Sequence, residues 1–158
     1  SSKEIKTYFE NGQLKFLFTY KDGVENGPFE SYYENGNPFG KGTYKNGRQS
    51  GKWMGYYENG QLRSIRNYNN GDNHGPFEWY YDNGQLEEKG AWKEGKRQGK
   101  FEYYFENGQM RVVGSYDNGT RTGVFSFYNE EGNLEFKGIP DQQQLTEIEK
   151  NHPNWTFY

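Results

Sequence analysis

The chain has 158 residues, of which 30% are hydrophobic and 20% aromatic, and its formal net charge is −3 at pH 7. This acidic balance argues against a nucleic-acid partner, which selects a basic face, and the absence of cysteine excludes disulfides and thiolate metal sites. No apolar run approaches the roughly 20 residues of a membrane-spanning helix, so the composition favours one thin, ordered domain with an aromatic core.

A 24-residue unit repeats along most of the chain. A tyrosine opens each copy and a glycine follows four residues later, as at Tyr80 and Gly84. A fixed period of this size is typical of stacked arrays in which each unit packs on its neighbours. We assign residues 1–7 to a partial N-terminal strand, 8–138 to the repeat array and 139–158 to a C-terminal capping segment. Five full copies fill 8–127, and a degenerate sixth begins at 128.

Each copy carries two turn signals, which in the fourth copy are Asn83-Gly84 and Glu94-Gly95. Asn-Gly between strand-like runs favours a type I′ turn, in which both central residues have positive φ. Two turns per copy predict two short strands per copy. The predicted fold class is therefore all-β: an elongated, single-sheet antiparallel meander of stacked β-hairpins with about eleven strands.

Alternation along a strand assigns side chains to the two faces of the sheet. In the fourth copy it places Leu86 and Glu88 on one face together with Gly90 and Trp92. Two aromatic columns are predicted core ladders: Phe29, Trp53, Phe77, Phe101 and Phe125, and Tyr20, Tyr44, Tyr68, Trp92 and Tyr116. Four glycines in the second strands are predicted to leave room for a neighbouring ring: Gly42, Gly90, Gly114 and Gly138.

The strand pattern ends after Gly138, because Pro140 cannot donate to a strand ladder. A short helix is predicted from Asp141, with Gln144 completing a capping box. Leu145 and Ile148 give it an apolar stripe, and a further apolar cluster follows at Trp155, Phe157 and Tyr158. We expect this segment to cover the open edge of the sheet, and docking to a partner is the alternative.

The segment Tyr56-Tyr57-Glu58-Asn59-Gly60-Gln61-Leu62, together with Gly90-Ala91-Trp92-Lys93-Glu94-Gly95, resembles the MORN-repeat variant found in many bacterial proteins. The resemblance covers about 130 of the 158 residues. It implies an elongated, twisted β-hairpin sheet without catalysis. Many such proteins are described as antitoxin or immunity components that pair with a toxin, whereas related MORN repeats act as scaffolds or are proposed to contact membrane lipids. It carries over no functional residue, because the shared positions are structural.

The sequence offers little for catalysis, which needs a positioned acid, base or nucleophile. The chain has two histidines, His74 and His152, and His74 is interpreted as a solvated turn residue. One acidic residue per turn does not supply the converging oxygens of a calcium site, and the glycine spacing fits no phosphate-binding loop. The sequence predicts a non-enzyme without metal or cofactor.

Binding specificity in a repeat array should lie where the copies differ. One column grows from small to aromatic toward the C-terminus: Ser31, Gly55, Trp79, Tyr103 and Phe127. Exposed aromatic residues are favoured interface anchors, so we predict that Trp79, Tyr103 and Phe127 form a patch that contacts a protein partner. The alternative is that they fill the core. Phe39 and Met54, where the second copy departs from the pattern, are further candidate contacts.

The leading functional hypothesis is an antitoxin or immunity-type protein that neutralises a toxin by direct binding, since an acidic, aromatic sheet suits a basic protein partner. The first alternative is a carbohydrate or cell-wall module, because the stretch 99–104 looks like choline- and glucan-binding repeats. The second is a structural or membrane-associated scaffold, against which the lack of a basic patch weighs. We expect a cytoplasmic location, with an exported form after signal removal as the alternative.

Overall fold

The computed structural model describes residues 1–144 and 146, and their strands form one antiparallel sheet. The strands are β1 (Ser2–Tyr8), β2 (Leu14–Lys21), β3 (Val24–Glu25), β4 (Gly27–Tyr32), β5 (Pro38–Lys45), β6 (Arg48–Tyr56), β7 (Leu62–Asn69), β8 (Asp72–Asn73), β9 (Gly75–Tyr80), β10 (Leu86–Lys93), β11 (Lys96–Arg97), β12 (Gly99–Tyr104), β13 (Met110–Asp117), β14 (Thr120–Tyr128) and β15 (Leu134–Gly138).

The strands pair in chain order, so the sheet is a meander. Its hydrogen-bonded path runs through twelve of the fifteen strands, and the two-residue strands β3, β8 and β11 pair beside it with β2, β7 and β10. These short strands are separated from β4, β9 and β12 by a break in the pairing, where Gly27, Gly75 and Gly99 have positive φ. The predicted fold class, a single antiparallel meander of repeated hairpins, is confirmed.

The first predicted core ladder is confirmed, because each of its five rings is at most 4% exposed. In the second ladder Tyr68 and Tyr116 are buried, while Tyr44 and Trp92 pack against the core half-buried. We call the sheet face that carries both ladders the aromatic face. In the described part of the chain its rings cover one another, with centroids 5.4 Å apart for Phe29 and Trp53.

The buried residues of the aromatic face fall into two groups. The N-terminal cluster consists of Phe29, Trp53 and Tyr68. The C-terminal cluster consists of Phe77, Trp79, Phe101, Tyr103, Val112, Tyr116 and Phe125.

Of the four glycines predicted to leave room for a ring, three do so for a ring of the next strand, whereas a Cβ at Gly138 would lie 3.0 Å from Phe136 of its own strand. A Cβ at Gly42 would lie 2.1 Å from the Trp53 ring, and one at Gly114 would lie 2.2 Å from the Phe125 ring. The corresponding distance from Gly90 to the Phe101 ring is 2.7 Å. Close packing of ring against backbone therefore fixes glycine here.

The predicted type I′ geometry is present in the second series of turns, where Glu94 and Gly95 both have positive φ. It was wrong for the first series, in which the glycine has positive φ and the asparagine does not. The reason is that the asparagine side chain forms hydrogen bonds within the turn and to the next copy. The Asn83 side chain accepts a hydrogen bond from the Gln85 backbone N–H (2.9 Å) and donates one to the Glu106 carbonyl of the next copy (3.1 Å).

A β-bulge follows each first-series turn and corrects the predicted face assignment. Leu86 pairs with Tyr80 and Glu88 pairs with Trp79, so Glu87 is an extra residue without a partner of its own. The bulge shifts the alternation of side chains between the two faces. The prediction that Leu86 shares a face with Glu88 was therefore wrong, because the two residues lie on opposite faces. The six equivalent residues, which we call the bulge row, are Lys15, Phe39, Arg63, Glu87, Arg111 and Glu135.

A helical turn follows the last strand, with residues 142–144 and 146 helical. The Asp141 N–H donates to Gln144 Oε1 and the Gln144 N–H donates to Asp141 Oδ1, both at 2.9 Å, so the predicted capping box is confirmed. The predicted stripe of Leu145 and Ile148 lies outside the described residues, as does the cluster of Trp155, Phe157 and Tyr158. No helix in the described residues is long and apolar enough to cross a membrane.

Candidate functional site

Trp79, Tyr103 and Phe127 lie on the aromatic face, where the neighbouring strands bring them into one column. Trp79 is 6% exposed and Tyr103 is 4% exposed, and Phe127 packs against the same cluster half-buried. Their burial agrees with the alternative in which this column fills the core.

Phe39 and Met54 lie in two other places. Phe39 belongs to the bulge row, where its ring centroid is 5.0 Å from that of Tyr33. Met54 lies on the opposite face of the sheet, and its sulfur accepts a hydrogen bond from the Tyr56 hydroxyl at 3.8 Å. The five residues singled out from the sequence therefore occupy three separate parts of the molecule.

A row of aromatic residues runs beside the bulge row at the first-series turns. These loop aromatics are Phe9, Tyr33, Tyr57, Tyr81 and Phe105, and all are half-buried. The tyrosines are held by the next copy, because the hydroxyls of Tyr33, Tyr57 and Tyr81 donate to backbone carbonyls at 2.6–2.8 Å. Each bond spans 23 residues, so the rings are fixed across the boundary between copies.

Cations of the bulge row lie over these rings. The Lys15 ammonium is 5.4 Å from the Phe9 centroid, and the Arg111 guanidinium is 5.6 Å from the Phe105 centroid. Arg63 lies over its bulge-row neighbour Phe39 at 5.3 Å. Contacts of this kind each contribute about 0.5–1 kcal/mol at exposed sites. These contacts fix the order of rings and charges along the bulge row, which crosses the sheet next to the first-series turns.

Two adjacent carboxyl side chains are buried: Glu87, which belongs to the bulge row, and the next residue, Glu88. Glu87 is 8% exposed and Glu88 is 5% exposed. Burial raises the pKa of Glu87 to about 7; the Arg111 charge opposes this shift and the Glu106 charge adds to it. Burial also raises the pKa of Glu88 to about 7, against the lowering effects of the Arg97 charge and of a hydrogen bond with Tyr103. Both carboxyls therefore change charge near neutral pH.

The opposite face carries a tyrosine–glutamate pattern of a different character. The hydroxyls of Tyr32 and Tyr80 donate to Glu30 and Glu78, and that of Tyr104 donates to Glu102 at 2.6 Å. Lys89 and Lys100 pair with Glu102 at 3.3 Å and 2.6 Å. Burial favours a higher pKa for Glu102, but bonds from Lys100, Tyr104 and Lys89 outweigh it and hold the pKa at about 2. These side chains are occupied by one another and are less available to a ligand.

His74 is half-buried and links two copies. Its Nδ1 accepts a hydrogen bond from the Glu94 backbone N–H at 3.2 Å. Asn26 and Gln98 accept the equivalent bond in their own copies, at 3.1 Å and 2.8 Å. Its position is therefore that of a structural turn residue. In the described part of the chain, no group of three or more His, Cys, Asp or Glu side chains is arranged to hold a metal ion.

Sequence reasoning missed Arg63, Glu87 and Arg111 as members of one site. The available signal was the chemistry at this repeat position, which changes from copy to copy while the two residues before it stay nearly constant. Phe39 was found because it lies in the stretch 37–40, where Asn37-Pro38 replaces a recognisable Gln-Leu pair. The others were missed because simple alternation hides a bulge.

The fold and the bulge row together define a class of protein. It is a repeat protein with a single sheet layer that presents varied side chains beside its first-series turns. Within that class, the family described as the MORN repeat variant matches residues 3–22, 25–46, 49–70, 73–94 and 97–118. The chain belongs to this family. MORN repeats are generally modules that bind proteins or membranes.

Among solved structures, a similar chain belongs to the crystal structure of the GtfA/B complex bound to UDP and GlcNAc. The two share 14% identity over 94% of this chain and 26% of that chain, with a TM-score of 0.25. This chain therefore spans about a quarter of the length of that one. No curated protein matches the sequence.

Proposed function

We propose that this protein is a non-catalytic, protein-binding repeat module whose partner is recognised along the bulge row. The observation that carries this proposal is the change of side chain at one structurally equivalent place in six copies: lysine, phenylalanine, arginine, glutamate, arginine and glutamate. Successive positions are two strands apart, or about 9.6 Å at the usual strand spacing. A row of evenly spaced side chains with different chemistry suits recognition of one extended surface on a partner.

The finer proposal is that the partner is a toxin and that this protein neutralises it by direct binding in the cytoplasm. Rigid, half-buried rings lose little side-chain entropy on binding, which favours high affinity. The net charge of −3 would steer a basic partner toward the surface. The cations and rings of the row would then act as local anchors, since Arg and aromatic residues dominate binding energy at interfaces.

Affinity capture from the native lysate with matched baits tests this proposal. The baits are the wild-type chain, the double variant Arg63→Ala/Arg111→Ala and the control Lys45→Ala/Lys52→Ala, whose exposed lysines lie outside the row. We expect one stoichiometric protein on the wild-type and control baits and little on the row variant. Equal retention by all three baits would contradict recognition by the row.

The captured protein is then expressed alone and together with each variant. The toxin proposal expects growth arrest when it is expressed alone and rescue by the wild-type and control chains, but not by the row variant. Normal growth on expression alone would refute the toxin assignment while leaving protein binding in place. Retention on a glycan array with no captured protein would instead favour the carbohydrate alternative.

A further inference from the structure

Glu87 is the one buried acid of the bulge row. Its side chain is 8% exposed, and within residues 1–144 and 146 its carboxylate has neither a hydrogen bond nor an ion pair. A carboxylate withdrawn from water without such a partner is costly. Its neighbour Glu88 differs, because it is hydrogen-bonded to Tyr103. The arrangement at Glu87 is thus one that an added cation would stabilise.

Glu87 lines an open cleft of about 510 Å³ between the fourth and fifth copies. The rings of Tyr81 and Phe105 form its apolar walls, and Asn107 lies beside them. Glu106 and Glu130 also line the cleft, so three carboxylates stand against one guanidinium, that of Arg111. Arg111 lies over the Phe105 ring at 5.6 Å and makes no ion pair with Glu87 in the described residues.

We propose that this cleft binds an arginine side chain of a protein partner, with the guanidinium on the Glu87 carboxylate and the aliphatic stem between Tyr81 and Phe105. The proposal rests on the proposed protein-binding function and names the anchor that the partner supplies. A planar guanidinium matches a carboxylate with two parallel hydrogen bonds and packs well on aromatic faces.

The other copies show why the site is single. At the place of Glu87 they carry Lys15, Phe39, Arg63 or Arg111, which offer no carboxylate, and Glu135, which is exposed. A divalent metal ion is the weaker occupant, because Arg111 lies in the same cleft and metal ions need several converging oxygens. The cleft therefore fits a monovalent, planar, partly apolar cation better than a bare ion.

The charge of Glu87 makes the binding dependent on pH. The charged groups that face it are Arg111, Glu106, Glu130 and Glu88, with the tyrosines Tyr57 and Tyr81. Burial raises the pKa of Glu87 to about 7, so the empty cleft holds a mixture of neutral and charged carboxyl at neutral pH. A bound cation favours the charged form, and affinity should fall as the pH drops below 7.

The first experiment titrates the protein with N-acetyl-arginine methylamide and follows amide chemical shifts by NMR. Neutral N-acetyl-citrulline methylamide and the lysine analogue are the comparison probes. We expect saturable shifts near Tyr81 and Phe105 with the arginine probe, at least tenfold weaker binding in Glu87→Gln, and weaker binding at pH 5.5 than at pH 8. The control Glu58→Gln removes an exposed acid two copies before Glu106 and should bind like the wild type. The dispersion of the amide spectrum shows that each variant is folded.

Equal binding of the citrulline probe, or equal binding by Glu87→Gln, overturns the proposal. Tighter binding of the lysine analogue overturns the assignment to arginine. A second arm adds Glu87→Gln to the capture experiment. If the partner is retained equally by wild type and Glu87→Gln, this inference fails while the proposed function stands. If the arginine probe binds at Glu87 but no protein is captured, the cation site stands and the proposed function fails.

Discussion

The two core clusters are built on the same repeat but filled differently. In the N-terminal half, the positions beside the central ladder carry small residues: Ser31, Gly40, Gly55 and Ser64. The corresponding positions of the C-terminal half carry Trp79, Glu88, Tyr103 and Val112. The second half therefore buries seven residues in one continuous cluster, against three in the first. The repeated positions determine the strands and turns of the sheet, and the non-repeating positions determine how many residues are buried in each cluster.

Arg66 marks the boundary between the clusters. It stands in the column that carries glycine in the neighbouring copies and pairs with Trp53. Its guanidinium lies 5.2 Å from the Tyr68 centroid on one side and 5.7 Å from the Trp79 centroid on the other. Cation–ring contacts of Arg66 thus link a ring of the N-terminal cluster to a ring of the C-terminal cluster.

The largest expected effect comes from removing a central ring. Phe101→Ala should cost about 3–5 kcal/mol of unfolding free energy, because Phe101 is fully buried and a cavity would remain. Phe29→Ala should cost less, since its half-buried neighbours Phe16 and Phe18 can relax into the gap. Urea unfolding of both variants measures the difference.

Hydrogen exchange locates the loss for the same two variants. Because each copy of an array packs mainly on its neighbours, Phe101→Ala should lower protection chiefly in β9–β15 and Phe29→Ala chiefly in β1–β7. A uniform loss of protection in both variants would show that the clusters form one cooperative unit, and the comparison would then have no energetic meaning.

Adding a methyl group tests the packing of ring on backbone in each half. Gly42→Ala and Gly114→Ala should each cost about 1–3 kcal/mol through overpacking, since the added Cβ would lie near 2 Å from a ring. Gly40→Ala is the control in the same strand as Gly42, because its Cβ would meet its nearest atom at 3.3 Å. Thermal unfolding compares the three. Similar costs for Gly40→Ala and Gly42→Ala would show that strand propensity matters more than ring contact.

Among the described residues, the buried acids Glu87, Glu88 and Glu102 all lie in the C-terminal half, so pH should separate the halves. Burial raises the pKa of Glu88 from 4.5 to about 7, and the native state therefore binds more protons than the unfolded state between these values. Its contribution makes stability fall as the pH rises from about 4.5 to 7. Glu88→Gln should remove this share, about 3 kcal/mol, and should therefore be more stable than wild type at pH 8.

Urea unfolding at pH 4 and pH 8 gives the measurement, with Glu10→Gln as a control that removes an exposed acid of the first copy. Glu87 adds a slope of the same sign, so the Glu88→Gln variant should retain part of it. An unchanged slope in Glu88→Gln would mean that Glu88 is ionised in the folded protein and is stabilised by Arg97 at neutral pH.

The sequence predicted the sheet and its central core well, because those features repeat. Phe29, Phe77 and their equivalents recur every 24 residues, and five copies make the pattern unambiguous. The glycine at position 42 or 114 was predicted to leave room for a ring for the same reason.

The bulge row was not predicted from the sequence, because it depends on features that do not repeat or that break the alternation. The bulge at Glu87 changes which face each following residue occupies. The bulge position carries no common residue type in the six copies, so the sequence does not indicate it. Trp79 and Tyr103 were proposed as contacts from their variability, yet variability in an array serves packing as well as binding. The surroundings of Glu87 include Phe105, Arg111 and Glu130, which belong to the next two copies and are not contained in a single copy.

The smallest expected effect lies in the asparagine ladder that joins the copies. Each first-series asparagine donates to a carbonyl of the next copy, at 2.9 Å for Asn107 and 3.4 Å for Asn59. Asn59 bridges to Asp82, which lies beyond the boundary at Arg66, so the longest bond falls where the clusters meet. At 3.4 Å the bond is weak. Asn107→Ala should cost about 1 kcal/mol and Asn59→Ala about half of that.

The two variants are well matched for this comparison. Both asparagines also accept a bond from the backbone N–H two residues later, at 2.9 Å in each case, so the difference isolates the bond between copies. Denaturant unfolding in parallel, repeated to resolve a few tenths of a kcal/mol, is the measurement. If Asn59→Ala costs as much as Asn107→Ala or more, the junction is as firmly joined as the rest of the array, and the division of the core at Arg66 does not extend to the turns.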